Sequence, residues 1–212
     1  MGFLPMTSVT QRMPILAPQP DPSNQKRELR AQVRVALAKI PVADFARLSP
    51  AACARILTLP EFEQAATLMI FLPGHAELDC SAFAHAAWAA GKVVAAPRID
   101  WQNARMSPQV ITSLTKGLET RRHNIAEPVD APGARIEPAA LDLILVPGLA
   151  FDLHGGRLGK GGGFYDRFLG QFAPRAFAVG LALDEQIVPA IPMGPLDARV
   201  HAVATPTRLL RR

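Results

Sequence analysis

The chain has little cysteine and almost no tyrosine: Cys53 and Cys80 are its two thiols and Tyr165 its single phenol in 212 residues. Neither cysteine sits in a C-x-x-C or other ligand spacing, which excludes a zinc cluster or a disulfide framework and leaves two buried thiols. His75, His85, His123, His154 and His201 show no metal spacing such as H-E-x-x-H; only a visible partner would make one of them an acid or base. Long apolar runs are missing as well. With no stretch of about 18 or more apolar residues there is no transmembrane helix. The standard nucleotide fingerprints also fail. G-x-x-x-x-G-K-[ST] cannot be placed because Lys160 is followed by Gly161, and G-x-G-x-x-G fails where Phe164 stands. A Walker-type NTPase and a Rossmann dehydrogenase are therefore excluded by motif.

What is present points to a globular α/β protein. Apolar residues make up 49% of the chain, enough for a sizeable core, and the length suits one domain. Lys and Arg number 23 against 18 acidic residues, a net charge of +5. That excess attracts anionic small molecules and does not by itself imply a nucleic-acid surface; Arg208, Arg211 and Arg212 read as a solvated terminal tail. Residues 1–23 carry Pro5, Pro14, Pro18, Pro20 and Pro22 with little charge and no apolar period, the pattern of a disordered leader. Met6 stands where myristoylation wants Ser or Thr, and prolines interrupt the only stretch that could act as a signal peptide. Residues 24–212 are expected to form the single domain, in the cytoplasm, as a monomer or weak homodimer.

From Asn24, Leu29, Val33, Ala36, Leu37 and Ile40 recur on one helical face that stops before Pro41. Lys26, Arg30 and Arg34 form a cationic row beside it, which taken alone reads as a solvated basic face. Ser49-Pro50 has the form of a cap and first helical residue. Leu68 to Leu72, Val93 to Ala96, Leu141 to Val146, Ala176 to Leu181 and Val200 to Thr205 read as strands, and Ser81 to Ala90 as a helix ended by Gly91. This alternation predicts a three-layer α/β/α sandwich with a mostly parallel central sheet, Rossmann-like but without the dinucleotide fingerprint. Open α/β sheets bind ligands beyond the carboxyl ends of their strands, so Glu77, Arg98, the segment after Val146 and Gln186 are expected to converge.

The densest chemistry lies in FDLHGGRLGKGGGFYDRFL, residues 151–169. Its glycines permit positive φ and close backbone approach, and a following helix would offer its N-terminus to an anion. Arg157 and Lys160 supply full charges for phosphate oxygens. Asp166 would repel a bound phosphate unless a cation stood between them, and Mg²⁺ suits one or two carboxylates plus substrate phosphates. A flexible surface loop is the plainer reading of the same composition.

VPGLAFDLHGGRLGKGGGFYDRFL resembles the signature of the 5-formyltetrahydrofolate cyclo-ligase family, also called 5,10-methenyltetrahydrofolate synthetases. KRELR at residues 26–30, FLPGHAELD at 71–79, IAEP at 125–128, VGLALDEQ at 179–186 and IPMGPLDARVHAVATPT at 191–207 are similar to further family segments, in the same order. Three departures stand out: Phe164 replaces the first of two tyrosines, Leu196 replaces a frequent histidine, and Pro73-Gly74-His75 is unusual near the folate segment.

The resemblance implies cyclisation of 5-formyltetrahydrofolate to 5,10-methenyltetrahydrofolate, driven by ATP and Mg²⁺ with release of ADP and phosphate. It implies nucleotide binding by Lys26, Arg27, Glu28, Leu29 and Arg30 and by the run Arg157, Leu158, Gly159, Lys160, Gly161, Gly162, Gly163, Phe164 and Tyr165. Folate would be held by Leu72 and Glu77, with Trp101 bordering its pocket, and metal by Asp166 and Asp197. Arg157, Lys160 and Tyr165 are the residues expected to act in the reaction. A relative using the same ATP and Mg²⁺ site on another substrate, or a non-catalytic binding module, stays open at this point.

Overall fold

The computed structural model describes residues 22–212. Helices α1 (Pro22–Leu37), α2 (Val42–Leu57) and α3 (Pro60–Gln64) precede β1 (Thr67–Met69). There follow α4 (Ser81–Ala89), β2 (Val93–Asp100), β3 (Arg105–Val110), β4 (Leu118–Thr120), β5 (Ala126–Pro128), β6 (Leu143–Val146), β7 (Ala150–Phe151) and β8 (Arg157–Leu158). The chain ends with α5 (Phe164–Arg167), β9 (Phe177–Leu181), β10 (Ala202–Ala204) and β11 (Leu209–Arg211). The leader expected over residues 1–23 lies outside the described residues except for Pro22 and Ser23, which open α1.

A 7-stranded sheet in the order β11-β10-β9-β6-β1-β2-β3 forms the central layer. The pairs from β10 through β9, β6 and β1 to β2 are parallel, and β3 and β11 close the two edges as antiparallel strands. Alternation along β6 assigns the faces. Leu143 and Leu145 join α1, α2 and α4 in one core, while Ile144 and Val146 join Phe151, Phe168 and Leu169 in the other. The sandwich therefore has three layers, with the second helical layer reduced to a few short turns.

Local chemistry explains where the elements depart from their sequence patterns. Ser49 and Pro50 lie inside α2 rather than at its start. The Ser49 hydroxyl donates to Phe45 O at 2.5 Å and accepts Asp79 N at 2.8 Å, so it ties two segments instead of capping. Just before β6, the Asp142 carboxylate accepts Ala66 N and Thr67 N at 2.8 and 2.9 Å, tying the start of β6 to that of β1. The last arginines form no loose tail. Residues 209–211 add an edge strand, Arg208 pairs with Asp184 at 3.0 Å, and Arg211 pairs with Glu61 at 2.6 Å. Among the described residues no helix is long and apolar enough to cross a membrane. Both cysteines are free and buried, and burial pushes the Cys53 thiol up to about 11.

Phe151 links the sheet to the functional loops. Its fully buried ring lies where a Cβ on Gly180 of β9 would come within 2.5 Å. Gly180→Ala is expected to lower the unfolding free energy by about 1–3 kcal/mol through overpacking, measured by urea denaturation; an unchanged midpoint would show that the Phe151 ring can shift freely.

Candidate functional site

Loops at the carboxyl ends of β1 and β6 meet the glycine-rich segment there. After β6, Pro147-Gly148 turns into the short β7–β8 hairpin, whose connecting loop is organised by Asp152. Its buried carboxylate accepts His154 N and Gly156 N on Oδ1 and Ile191 N on Oδ2, all at 2.8 Å. A Cβ at Gly156 would collide with the Asp152 carboxylate, so only glycine fits there. Gln186 is the second brace: Nε2 donates to Gly148 O and Leu149 O at 2.9 and 3.2 Å, and Oε1 accepts Leu183 N at 2.8 Å.

These braces place Arg157, whose side chain is 3% exposed, between two cavities. The smaller, about 160 Å³, is walled by Lys26 and Arg30 of α1 and by Asp166 and Asp197. The larger, about 550 Å³, is walled mainly by apolar and aromatic groups, among them Phe71, Leu72, Ile99, Trp101, Phe164 and Tyr165. Arg157, Gly159, Gly163 and Asp166 line both, so the two spaces share one wall.

Ion pairs draw that wall together. Arg157 Nη2 donates to Asp166 Oδ1 at 2.8 Å, and Nη1 reaches Pro147 O at 3.3 Å. Lys26 pairs with Asp197 Oδ2, which also accepts Gly194 N, and Arg30 Nε donates to Gly159 O at 2.9 Å. Lys160, half exposed, reaches Glu77 Oε1 at 2.6 Å, while Glu77 Oε2 accepts Gly74 N at 2.7 Å. Asp166 Oδ2 and Asp197 Oδ1 take no partner among the described residues, leaving one free oxygen on each carboxylate.

Three buried polar atoms of this region also have no partner among the described residues: Arg157 Nε, Tyr165 Oη and Trp101 Nε1. Buried donors are rarely left unpaired in a finished structure, and all three belong to residues bordering the larger cavity. Burial, reinforced by the Glu77 charge and opposed by Arg157, pushes the Tyr165 phenol well above its usual value. Tyr165 is therefore a neutral donor rather than a base.

The sequence-predicted residues at the cavities fall into three groups. Lys26, Arg30, Leu158, Gly161 and Asp197 border the small cavity alone, Leu72, Glu77, Lys160, Gly162, Phe164 and Tyr165 the large one alone, and Arg157, Gly159, Gly163 and Asp166 both. Leu29 packs on the core, and Arg27 and Glu28 face solvent. Arg34, read as solvated, lies on the rim of the large cavity.

Two residues expected to converge do not. Arg98 turns to the β4–β5 hairpin, donating to Glu119 Oε1 and Pro128 O, and Gln186 is spent on the backbone. The helix after the glycines is a single turn continued by a π-helical turn at Phe168–Phe172. A helix macrodipole therefore adds little, because so few peptide units are aligned.

Sequence reasoning passed over Asp152 and Glu127. Glu127 is a buried carboxylate accepting Ile99 N at 2.8 Å on the wall of the large cavity. The IAEP segment at 125–128, similar to one of the family's, was the available signal. Asp152→Ala would strand three backbone N–H groups and is expected to lower stability by about 3 kcal/mol or more. Asn at the same position should cost less, since it keeps one acceptor; equal urea midpoints for all three proteins would contradict this role.

Comparison with known proteins shows the family. The family model described as the 5-formyltetrahydrofolate cyclo-ligase family matches residues 22–206. The chain is 29% identical to the 5-formyltetrahydrofolate cyclo-ligase of Mus musculus, covering 85% of this chain and 93% of the relative. It is 33% identical to that of Escherichia coli strain K12, over 74% and 87% of the two chains. The solved structure of Aquifex aeolicus 5,10-methenyltetrahydrofolate synthetase superposes with a TM-score of 0.74 at 30% identity, over 88% and 92% of the two chains. By sequence and by fold, the chain belongs to the 5-formyltetrahydrofolate cyclo-ligase family.

Proposed function

We propose that the chain cyclises 5-formyltetrahydrofolate to 5,10-methenyltetrahydrofolate, consuming ATP with Mg²⁺ and releasing ADP and phosphate. The observation that carries the reading is the shared wall. A small cavity rimmed by cations suits a triphosphate, and a larger apolar one suits a flat heterocycle; they meet at Arg157, Gly159, Gly163 and Asp166.

Adjacent sites answer the chemical problem of this substrate. An N-formyl group is an amide, with a weakly electrophilic carbon and an oxygen that leaves poorly. Transfer of the γ-phosphoryl group to that oxygen converts it into a phosphate leaving group. Nitrogen 10 then attacks the formyl carbon and loses its proton, and phosphate departs as the methenyl bridge forms. No protein nucleophile is needed, so the side chains contribute alignment and charge stabilisation, which account for most of the catalysis in phosphoryl transfer.

Lys26, Arg30 and Arg157 would hold the phosphates, with the amides of Gly159 to Gly163 closing over them. Arg157 would follow the transferring group, a role supported by its bordering both cavities. Tyr165, neutral and unpartnered among the described residues, would donate to a polar atom of the folate, as would Trp101 Nε1. Glu77, held by Gly74 N, would accept from the pterin, and Lys160 would be released from Glu77 or bridge it to the substrate.

The acidic donors suit Mg²⁺. Asp166 and Asp197 both border the small cavity with one oxygen free. Among the described residues no cluster of three or more His, Cys, Asp or Glu gathers, and Mg²⁺ needs only one or two carboxylates with substrate phosphates and water. When bound there, Mg²⁺ would offset phosphate charge.

The test is absorbance of the methenyl product from purified protein with 5-formyltetrahydrofolate, ATP and Mg²⁺. A rise that requires both ATP and metal is expected, and Asp166→Ala should lower it at least about 100-fold, the scale of losing a positioned electrostatic group. Turnover without ATP, or unchanged turnover in the variant, would refute the assignment.

A further inference from the structure

Arg167 stands behind the glycine loop, on neither cavity wall and with no carboxylate partner among the described residues. Its guanidinium nevertheless makes three contacts. Nη2 donates to Gly162 O at 2.9 Å, Nε donates to Ala104 O at 3.2 Å, and Cζ lies over the Phe164 ring, 5.4 Å from its centre. A Cβ on Gly163 would come within 2.7 Å of Nη1, so the loop lies directly against the guanidinium. Both carbonyls belong to tight turns: Ala104 has φ 51°, and Gly162 precedes Gly163 at φ 65°.

The turn containing Ala104 joins β2 to β3 and carries Trp101, a wall of the larger cavity. Trp101 meets Phe164 edge-to-face at 5.1 Å and His123 at 5.4 Å, and Arg122 covers its ring at 4.8 Å. Among the described residues, the bond from Arg167 to Ala104 is the only hydrogen bond joining this turn to the glycine loop and α5. The phosphate-side cradle and the aromatic wall thus share one polar tie. A planar fork suits holding two carbonyls while lying over a ring, which a compact ammonium does less well.

We propose that Arg167 is a positioning residue that fixes the glycine loop relative to the Trp101 wall, so that the two cavities keep their shapes together. The assignment of ATP to one cavity and folate to the other rests on the reading under Proposed function; the tie itself does not.

Full-length Arg167→Gln and Arg167→Lys proteins test it in two ways. Without any substrate, hydrogen exchange at amides 101–104 and 159–163 should accelerate in both segments together, roughly 10-fold or more, while exchange in the central strands stays unchanged. With substrates, kcat/KM should fall roughly 10- to 100-fold, with KM raised for both ATP and 5-formyltetrahydrofolate. Arg167→Lys should fall between wild type and Gln in both assays, and it decides the matter if the Gln protein does not fold. Faster exchange in only one segment, uniformly faster exchange with wild-type KM values, or a rise in KM for one substrate alone would overturn the proposal. If the wild-type enzyme fails to turn over 5-formyltetrahydrofolate, the functional reading falls while the exchange result still judges the tie.

Discussion

The site depends on a buried guanidinium, that of Arg157. An arginine so enclosed is costly unless paired and hydrogen-bonded, and one carboxylate, Asp166, supplies the pairing at 2.8 Å. The pairing is incomplete: among the described residues Nε has no partner, and Nη1 reaches Pro147 O at only 3.3 Å. Donors held in place and unsatisfied are what an incoming phosphate or formyl oxygen can use without reorganisation. Asp166 orients Arg157 through one carboxylate oxygen, while its second takes no partner among the described residues.

The sheet makes this arrangement possible. Parallel strands bring the carboxyl ends of β1 and β6 to the same edge, the region where open α/β sheets hold ligands. Backbone groups there would be exposed and mobile without braces. Asp152 and Gln186 supply them from side chains that never enter either cavity, and Phe151 anchors the hairpin beneath by packing against Gly180 and Gly148. Those braces sit under the loop, and within it Gly161 and Gly163 adopt the positive φ that its turns require.

Much of this was legible in the chain itself. The glycine-rich segment, the cationic row on α1 and the alternation of helices and strands each follow from local pattern, and Lys26, Arg30, Arg157 and Asp166 do gather around one small cavity. The pattern could not reveal what a side chain does once the sheet has formed. Arg98 and Gln186 are expected after strand ends, as ligand residues would be, yet Arg98 lies inside β2 and faces a neighbouring hairpin, and Gln186 supports a turn. Asp184, outwardly a loop charge, accepts Thr205, Thr207 and Arg208 and so fixes the terminal strand. Ser49-Pro50 has the form of a helix start, but residues 42–48 already form the helix. In every such case the deciding partner is distant in the chain or is a backbone group that sequence does not display, and Arg167, one of whose carbonyl acceptors lies 63 residues away, is the same case at the site.

Two cavities that share Arg157 would let the formyl oxygen receive a phosphoryl group directly. Following oxygen from 5-formyltetrahydrofolate labelled with ¹⁸O at the formyl position tests it in one experiment. Under single-turnover conditions with ATP and Mg²⁺, the label is expected in the released inorganic phosphate in proportion to methenyl product. Label found in water, with unlabelled phosphate, would contradict direct transfer across the shared wall.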